Sequence, residues 1–343
     1  MTVSPKAFDF DFDINIPSEE DLRAERQAGY AWTRERLIDP ADILTRAPGG
    51  DAAQMNLLSL PAWLAVAQRA GIDFIPARLL ADVDAEVYIE TFDHPESDAG
   101  KTYAAFHAQV VNDLAEGEMV RMEQVAPRDI KGLMSMGATM SSGLIDLHDG
   151  GRYLDLHEDR FYVTFKDLGA DRVRAYARPI VTPAMIDGSF RGDEGRWAVE
   201  FRVYVESGRV VGISNYYPQV AMDPSQYKDA ARDAYAAAQS MLNTMNALHL
   251  GVGGHTLCPD RGPKDIMEQT PDWMPSIWGP QNFTLDFMLL ENGDITFLEG
   301  GPGGMSAAHP CCFLQEDREV EPDFLHGVAW SDHTPIQPLS DLP

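Results

Sequence analysis

The stretch from Phe283 to Glu299 constrains the fold of this chain more than any other segment. Two apolar runs flank the dipeptide Asn292-Gly293, and Asn-Gly in that setting is the strongest short-range signal for a β-hairpin. With a two-residue turn at that dipeptide, Asp286 and Glu299 lie directly opposite each other, with Cβ atoms about 5 Å apart. Like charges so placed are destabilising unless something compensates them, so we expect this hairpin to carry a functional charge cluster.

The two facing carboxylates predict a divalent metal site. Asp286 lies between Leu285 and Phe287, and Glu299 follows Leu298, so both acids are embedded in apolar strands. Carboxylates with open coordination positions suit Mg²⁺ that is held partly by substrate phosphates. The backbone after the second acid, Gly-Gly-Pro-Gly-Gly, can approach a ligand closely. The alternative is an exposed strand face on which the acids stand apart in water.

A second hairpin is predicted between Trp197 and Tyr216, with its turn at Ser207-Gly208. Strict alternation puts the Val and Phe residues of 199–205 on one face of its first strand, and Glu200 and Arg202 on the other. Arg202 pairs with Glu200 in the simplest interpretation. In the functional one, the guanidinium fork of Arg202 meets a phosphate or a carboxylate.

Local signals also predict helices and strands before and between the hairpins. Ser59 and Pro61 predict the start of a helix that ends at Gly71. Short apolar runs predict strands near 72–80 and 86–91. The Ala-rich stretch 225–249 predicts a long helix that ends at Gly251.

The charge composition excludes two classes of partner. Lys and Arg together number 27 and Asp and Glu number 54, which gives a formal net charge of −27. Nucleic acids and anionic membranes both attract broad basic surfaces, so we expect neither partner.

Three further features predict a soluble, cytoplasmic protein. No apolar run approaches the about 18 residues of a membrane-spanning helix. The N-terminal stretch has no signal-peptide core. There are three cysteines, two of them adjacent at Cys311 and Cys312, and this pattern suits a reducing compartment.

The order of the motifs resembles the C-terminal lobe of ATP-grasp proteins. Residues 200–216 read Glu-Phe-Arg-x-Tyr-Val, then Gly-x-Val-Val-Gly-Ile-Ser-x-Tyr, and a helix follows. Residues 283–304 then read Phe-x-Leu-Asp-Phe, Gly-Asp-Ile-x-Phe-Leu-Glu and x-x-Pro-x-Gly. The chain is most similar to the bacterial and phage clade related to the eukaryotic cell-division-cycle proteins that assist assembly of a translation initiation factor.

The resemblance covers residues 120–310 and implies an α+β class. The fold it implies is the ATP-grasp fold, in which two α+β lobes clasp a nucleotide after an α/β N-terminal domain. The implied divisions are an N-terminal domain at 1–118, a nucleotide-binding lobe at 119–182, a C-terminal lobe with the metal site at 183–316, and a tail at 317–343.

The resemblance also implies which residues bind the nucleotide. Residues 119–131 resemble the first strand and loop of the nucleotide lobe, whose basic residues face the phosphates. Residues 174–181 resemble the strand that leads into the hinge, where the backbone bonds adenine. The implied cofactor-binding set is Arg121, Arg128, Lys131, Lys166, Arg178, Pro179, Ile180, Glu200 and Arg202, with Lys166 and Arg202 as catalytic residues and Asp286 and Glu299 as metal ligands. For each single basic residue, a solvated surface charge is the alternative interpretation.

The pattern departs from the family at Gly301, where the resemblance calls for an Asn ligand in an acidic-x-Asn motif. Asn282, or a residue in the loop around His309, is the alternative source of that ligand.

The function implied is that of an ATP- and Mg²⁺-dependent ligase, which joins a carboxylate to an amine through an acyl phosphate. Its substrate would be a small molecule or a peptide with a carboxylate. A different class is a non-catalytic ATP-binding assembly or regulatory factor with a protein partner. A third is a globular α/β protein whose hairpins only imitate the motif.

Overall fold

Helices and strands follow one another in mixed order along the chain. The computed structural model describes residues 18–123, 171–190, 193–206, 208–217, 220–253, 283–302, 327–331, 334 and 337–342. These ranges contain both α-helices and mainly antiparallel sheets, so the predicted α+β class is confirmed. The helices are α1 (Glu19–Arg36), α2 (Pro40–Thr45), α3 (Leu60–Ala70), α4 (Ala85–Asp93), α5 (Asp98–Asp113) and α6 (Pro224–Ala247).

Capping residues set the ends of the predicted helices. The Ser59 hydroxyl accepts a hydrogen bond from a first-turn N–H of α3, and Gly71 ends the helix with φ 69°, as predicted. The long Ala-rich helix α6 ends at Ala247, earlier than predicted, and a strand begins at Leu250. The prediction of a strand at 86–91 is wrong, because these residues belong to α4.

The strands of the described ranges form four sheets. The strands are β1 (Ala53–Asn56), β2 (Arg78–Asp84), β3 (Glu118–Met122), β4 (Arg172–Pro179), β5 (Met185–Phe190), β6 (Asp193–Ala198), β7 (Glu200–Glu206), β8 (Arg209–Asn215), β9 (Leu250–Gly253), β10 (Phe283–Leu289), β11 (Ile295–Pro302), β12 (Gly327–Ala329) and β13 (Gln337–Pro338). The largest sheet has six strands in the order β11-β10-β7-β8-β12-β13, and a three-stranded sheet has the order β2-β4-β3. Two small sheets pair β1 with β9 and β5 with β6.

The turn between β10 and β11 is longer than predicted. The N–H of Leu290 donates to the carbonyl of Asp294 at 2.8 Å, so three residues separate the last bonded pair. Gly293 has a φ of 92°, whereas Asn292 does not have a positive φ. A two-residue type I′ turn needs positive φ at both central residues, so the prediction of that turn is wrong.

A β-bulge restores the predicted pairing of the two acids. Phe287 pairs with Phe297, but the next residue along β10, Asp286, pairs with Glu299. Leu298 is therefore the extra residue on β11. The facing of Asp286 and Glu299 is confirmed, although the register that produces it is not the one expected.

The apolar face of the large sheet packs against α3 and α6. The predicted alternation in β7 is confirmed, since Phe201, Val203 and Val205 are fully buried in this core. A second core lies between the three-stranded sheet and helices α4 and α5. No helix in the described part of the chain is long and apolar enough to cross a membrane. The division into domains at residues 118, 182 and 316 stays a prediction.

Candidate functional site

Charged side chains meet where the three-stranded sheet contacts β11, the edge strand of the large sheet. Arg121 on β3 donates from Nη2 to Oε2 of Glu299 at 2.5 Å and from Nε to the same oxygen at 3.0 Å. The Nη1 of Arg121 donates to the carbonyl of Met122. The Arg121 side chain is 8% exposed and the Glu299 side chain 21% exposed, so this ion pair is largely shielded from water.

A second ion pair lies next to the first within the large sheet. Arg202 on β7 donates to both oxygens of Asp286, from Nε at 2.8 Å and from Nη2 at 2.7 Å. The guanidinium carbon of Arg202 also lies 4.7 Å from the ring centroid of Tyr216, a cation–π contact. Burial alone would lower the pKa of Arg202, but the Asp286 carboxylate outweighs it and raises that pKa above its ordinary value.

Strand register places these charges in one row across the sheet. Glu299 pairs with Asp286, Asp286 pairs with Arg202, and Arg202 pairs with Ser214. Residues directly opposite one another share a face of the sheet. The row therefore places the two acids side by side and Arg202 directly beside Asp286, which the apolar flanking residues did not reveal.

The two arginines supply compensation that we had expected from a cation. Each carboxylate has its own guanidinium partner, so the facing acids do not need a metal ion to coexist. Within the described ranges, no group of three or more His, Cys, Asp or Glu side chains is placed to hold a metal. The assignment of Asp286 and Glu299 as magnesium ligands stays a prediction.

Arg178 fills the junction between the two sheets. Its Nη2 donates to the carbonyl of Ile75 at 2.7 Å and to the carbonyl of the bulged Leu298 at 3.0 Å. Its Nε is buried and has no hydrogen-bond partner within the described ranges. Burial lowers the pKa of Arg178 to about 10; nearby Glu299 opposes that change and Arg121 adds to it.

The predicted hinge follows Arg178 directly. Pro179 ends β4, and Ile180 is 38% exposed and donates its N–H to the carbonyl of Gly117 at 2.8 Å. The chain then runs beside β10, where Ala184 donates to Leu289 at 2.8 Å. Contact between this backbone and adenine stays a prediction.

Glu200 is buried at the start of β7, and its carbonyl accepts the N–H of Tyr216 at 2.8 Å. The bidentate partner of Arg202 is Asp286, and the Glu200 carboxylate contributes to the electrostatic environment of Arg202. The remaining predicted positions, Arg128, Lys131, Lys166, Asn282 and His309, lie outside the described residues.

Sequence reasoning missed the contribution of α3 to this site. The Ser59 hydroxyl donates to Oε1 of Glu123 at 2.8 Å, and Arg174 binds the other oxygen of that carboxylate at 2.7 Å. One turn along α3, the Trp63 indole lies against Gly300, the neighbour of Glu299. Helix α3 thus contacts the chain close to both partners of the Arg121–Glu299 ion pair. The isolated Ser-x-Pro cap signal gave no hint of these contacts, because both partners are distant in sequence.

No protein-family model matches this sequence, and no curated protein matches it significantly. Solved structures that resemble it include truncated Cdc123 from Schizosaccharomyces pombe, with 9% identity and a TM-score of 0.41 over 78% of this chain and 86% of that one. N5-carboxyaminoimidazole ribonucleotide synthetase from Thermotoga maritima has 9% identity and a TM-score of 0.33 over 79% of this chain and 47% of that one. The ATP-grasp ligase PsnB, complexed with precursor peptide PsnA2 and AMPPNP, has 10% identity and a TM-score of 0.26 over 77% and 54%. The similar structures thus include a Cdc123 protein and an ATP-grasp ligase, as the motifs predicted, and at these values the likeness concerns the fold alone.

Proposed function

We propose that this chain binds ATP together with Mg²⁺ at the cluster of Arg121, Arg178, Arg202, Asp286 and Glu299. The observation that carries the proposal is the buried Nε of Arg178, a cationic donor that has no acceptor among the residues the structure describes. Three guanidinium groups stand against Asp286 and Glu299 here, and the buried Glu200 also acts on Arg202. A buried guanidinium with an unused donor fits a phosphate, because charged groups in an interior require a partner.

The carboxylates fit a magnesium ion. Asp286 and Glu299 provide oxygen ligands on directly opposed strand positions. Mg²⁺ needs only one or two protein carboxylates when phosphates and water complete its coordination. Bound there, the ion would supply neutralisation of phosphate charge. The chain's own part is to bind and orient the phosphates with Arg121, Arg178 and Arg202.

Other predicted residues complete this proposal. Arg128, Lys131 and Lys166 would add positive charge around the phosphates, and the backbone at Pro179 and Ile180 would bind the adenine. Lys166 and Arg202 would stabilise charge that develops during phosphoryl transfer.

The reaction we propose is the ligation of a carboxylate to an amine, with ATP as the phosphoryl donor. The carboxylate is activated as an acyl phosphate, and the amine displaces phosphate. This chemistry requires positioned phosphates and compensated charge rather than a dedicated nucleophile. The substrate would be a small molecule or a peptide with a free carboxylate.

A second candidate is a protein that binds ATP without turnover and serves as an assembly or regulatory factor. Gly301 favours it, because this position offers no side-chain ligand beside Glu299. The arginine partners of both acids favour it as well, since they satisfy the acids without a metal ion.

Calorimetry with ATP and Mg²⁺ tests the binding proposal. The wild-type chain should bind Mg·ATP, and Asp286→Asn should weaken that binding by about 10- to 100-fold, the usual effect of disturbing a metal site. Glu86→Gln is the matched control, because Glu86 forms a similar bidentate pair with Arg26 on other helices. Equal Mg·ATP binding by the wild type and Asp286→Asn would remove the metal assignment.

Turnover separates the two candidates. Pools of amino acids, small acids and peptides are added with ATP and Mg²⁺, and the release of ADP and phosphate is followed. Substrate-dependent ADP release with a condensed product supports the ligase. Mg·ATP binding without such release, together with a co-purifying protein, supports the assembly factor.

A further inference from the structure

The arginines best placed to bind phosphate are already held by the site's own acids. We infer that Asp286 and Glu299 act as internal counter-ions that make polyphosphate binding conditional on a divalent cation. This inference rests on the proposed function. It adds that the site binds a polyphosphate together with a divalent cation more tightly than it binds either one alone.

The geometry of the two pairs motivates it. Arg202 uses Nε and Nη2, one complete edge of its guanidinium, to bind both oxygens of Asp286. Arg121 directs the same two nitrogens at Glu299. A guanidinium edge that is bidentate to a carboxylate cannot be bidentate to a phosphate at the same time. A phosphate that binds these Nε–Nη2 edges must therefore displace the acids from them.

Displacement without a cation would be costly. Asp286 is 2% exposed, so releasing it from Arg202 leaves a buried carboxylate without its partner and beside an incoming polyanion. Electrostatic repulsion is strong in such a poorly solvated position. A metal-free polyphosphate should therefore bind weakly, even though the cluster holds three arginines.

A divalent cation reverses that balance. An ion bound to Asp286 and Glu299 cancels their charges, and the formal charge of the cluster becomes more positive by two. Both arginine edges then become available to the phosphate oxygens. The metal and the polyphosphate should consequently strengthen each other's binding, as linkage requires.

Neutralising one acid should reduce the dependence of polyphosphate binding on a divalent cation. Asp286→Asn keeps the side-chain shape but deletes the charge that holds Arg202. If the acids act as counter-ions, metal-free polyphosphate binds more tightly to this variant than to the wild type, while Mg·ATP binds more weakly. If the acids are metal ligands alone, metal-free binding does not change.

Calorimetry with inorganic tripolyphosphate provides the test, in buffer freed of divalent cations and again with Mg²⁺. We expect Mg²⁺ to tighten wild-type binding at least about tenfold, which corresponds to about 1.4 kcal/mol. Asp286→Asn and Glu299→Gln should each tighten metal-free binding about tenfold relative to the wild type. Glu86→Gln should match the wild type, because the Arg26–Glu86 pair has comparable geometry, with side chains 12% and 14% exposed.

The outcomes separate this inference from the proposed function. Wild-type binding of Mg·ATP, with no gain in metal-free tripolyphosphate binding by either variant, overturns the counter-ion role and leaves the function standing. No Mg·ATP binding by the wild type overturns the function, whereas a gain by the variants in metal-free binding would still support the counter-ion role. Thermal unfolding checks each variant, and the more exposed Glu299 decides the matter if Asp286→Asn does not fold.

Discussion

Gly300→Ala tests the packing that joins α3 to the candidate site. A Cβ at Gly300 would lie 2.3 Å from Cε2 of Trp63, 2.4 Å from Cδ2 and 2.8 Å from Nε1. Trp63 is fully buried, donates from Nε1 to the carbonyl of Leu57 at 2.7 Å, and packs against Phe283 with 5.0 Å between ring centroids. Burial, the bond to Leu57 and the contact with Phe283 therefore all oppose movement of the indole.

Three contributions set the size of the effect. Overpacking a close-packed core costs roughly 1–3 kcal/mol. A shifted indole that loses its bond to Leu57 leaves a buried donor unsatisfied, at about 1–3 kcal/mol. Replacing Gly by Ala within a strand returns roughly 0.5–1 kcal/mol of backbone entropy. We expect Gly300→Ala to lower the free energy of unfolding by about 2–4 kcal/mol.

The neighbouring glycine is the matched control. Among the described residues, a Cβ at Gly301 would meet only the Thr284 hydroxyl oxygen, at 3.6 Å, which is an ordinary contact. Gly301→Ala should therefore leave stability unchanged or raise it by up to about 1 kcal/mol. Urea unfolding of both variants, followed by circular dichroism, measures the difference.

Two results would refute the reasoning. Equal stabilities of Gly300→Ala and Gly301→Ala would show that the Trp63 contact does not limit residue size at position 300. The cost of Gly300→Ala should also shrink in a Trp63→Leu background, since the clashing ring is then absent. An unchanged cost in that double-mutant cycle would place the effect elsewhere.

Two further substitutions probe the same region. Gly301→Asn should be accommodated, and its amide oxygen adds a possible metal ligand beside Glu299. Calorimetry should therefore show that Mg²⁺ binds about tenfold more tightly to this variant. An unchanged Mg²⁺ affinity contradicts the metal assignment. Ser59→Ala removes the helix cap and the bond to Glu123 and should cost about 1–2 kcal/mol in urea unfolding, whereas Ser59→Thr keeps the hydroxyl and should cost less. An equal loss in both Ser59 variants would exclude the hydroxyl as the cause.

The pairing of Asp286 with Glu299 was predicted correctly from a turn that does not form. The loop has one residue more than expected, and the bulge at Leu298 compensates for it. The carbonyl of Leu298 accepts a hydrogen bond from Arg178, which lies on the other sheet. The bulge that sets the register between β10 and β11 is thus in contact with a residue 120 positions away in the sequence.

Helix α4 shows the opposite outcome. A short apolar run at 86–91 fits a strand or a helix equally well by periodicity. In the structure, Tyr88 and Ile89 are buried against the second core, and Ala85 one turn earlier is buried as well. Burial at helical spacing, which depends on the neighbouring α5 and β4, decided between the two.

The sequence by itself determined the features that repeat over a few residues. Alternation in β7 separated an apolar face from a polar face, capping residues set the ends of α3, and the motif order predicted the α+β class. Only the tertiary structure decided which arginine holds which acid, because Arg202 and Asp286 are 84 residues apart and Arg121 and Glu299 are 178 apart. Local patterns report the period of a strand or a helix, whereas ion pairs form between whichever charges the packing of sheets and helices brings within hydrogen-bond distance.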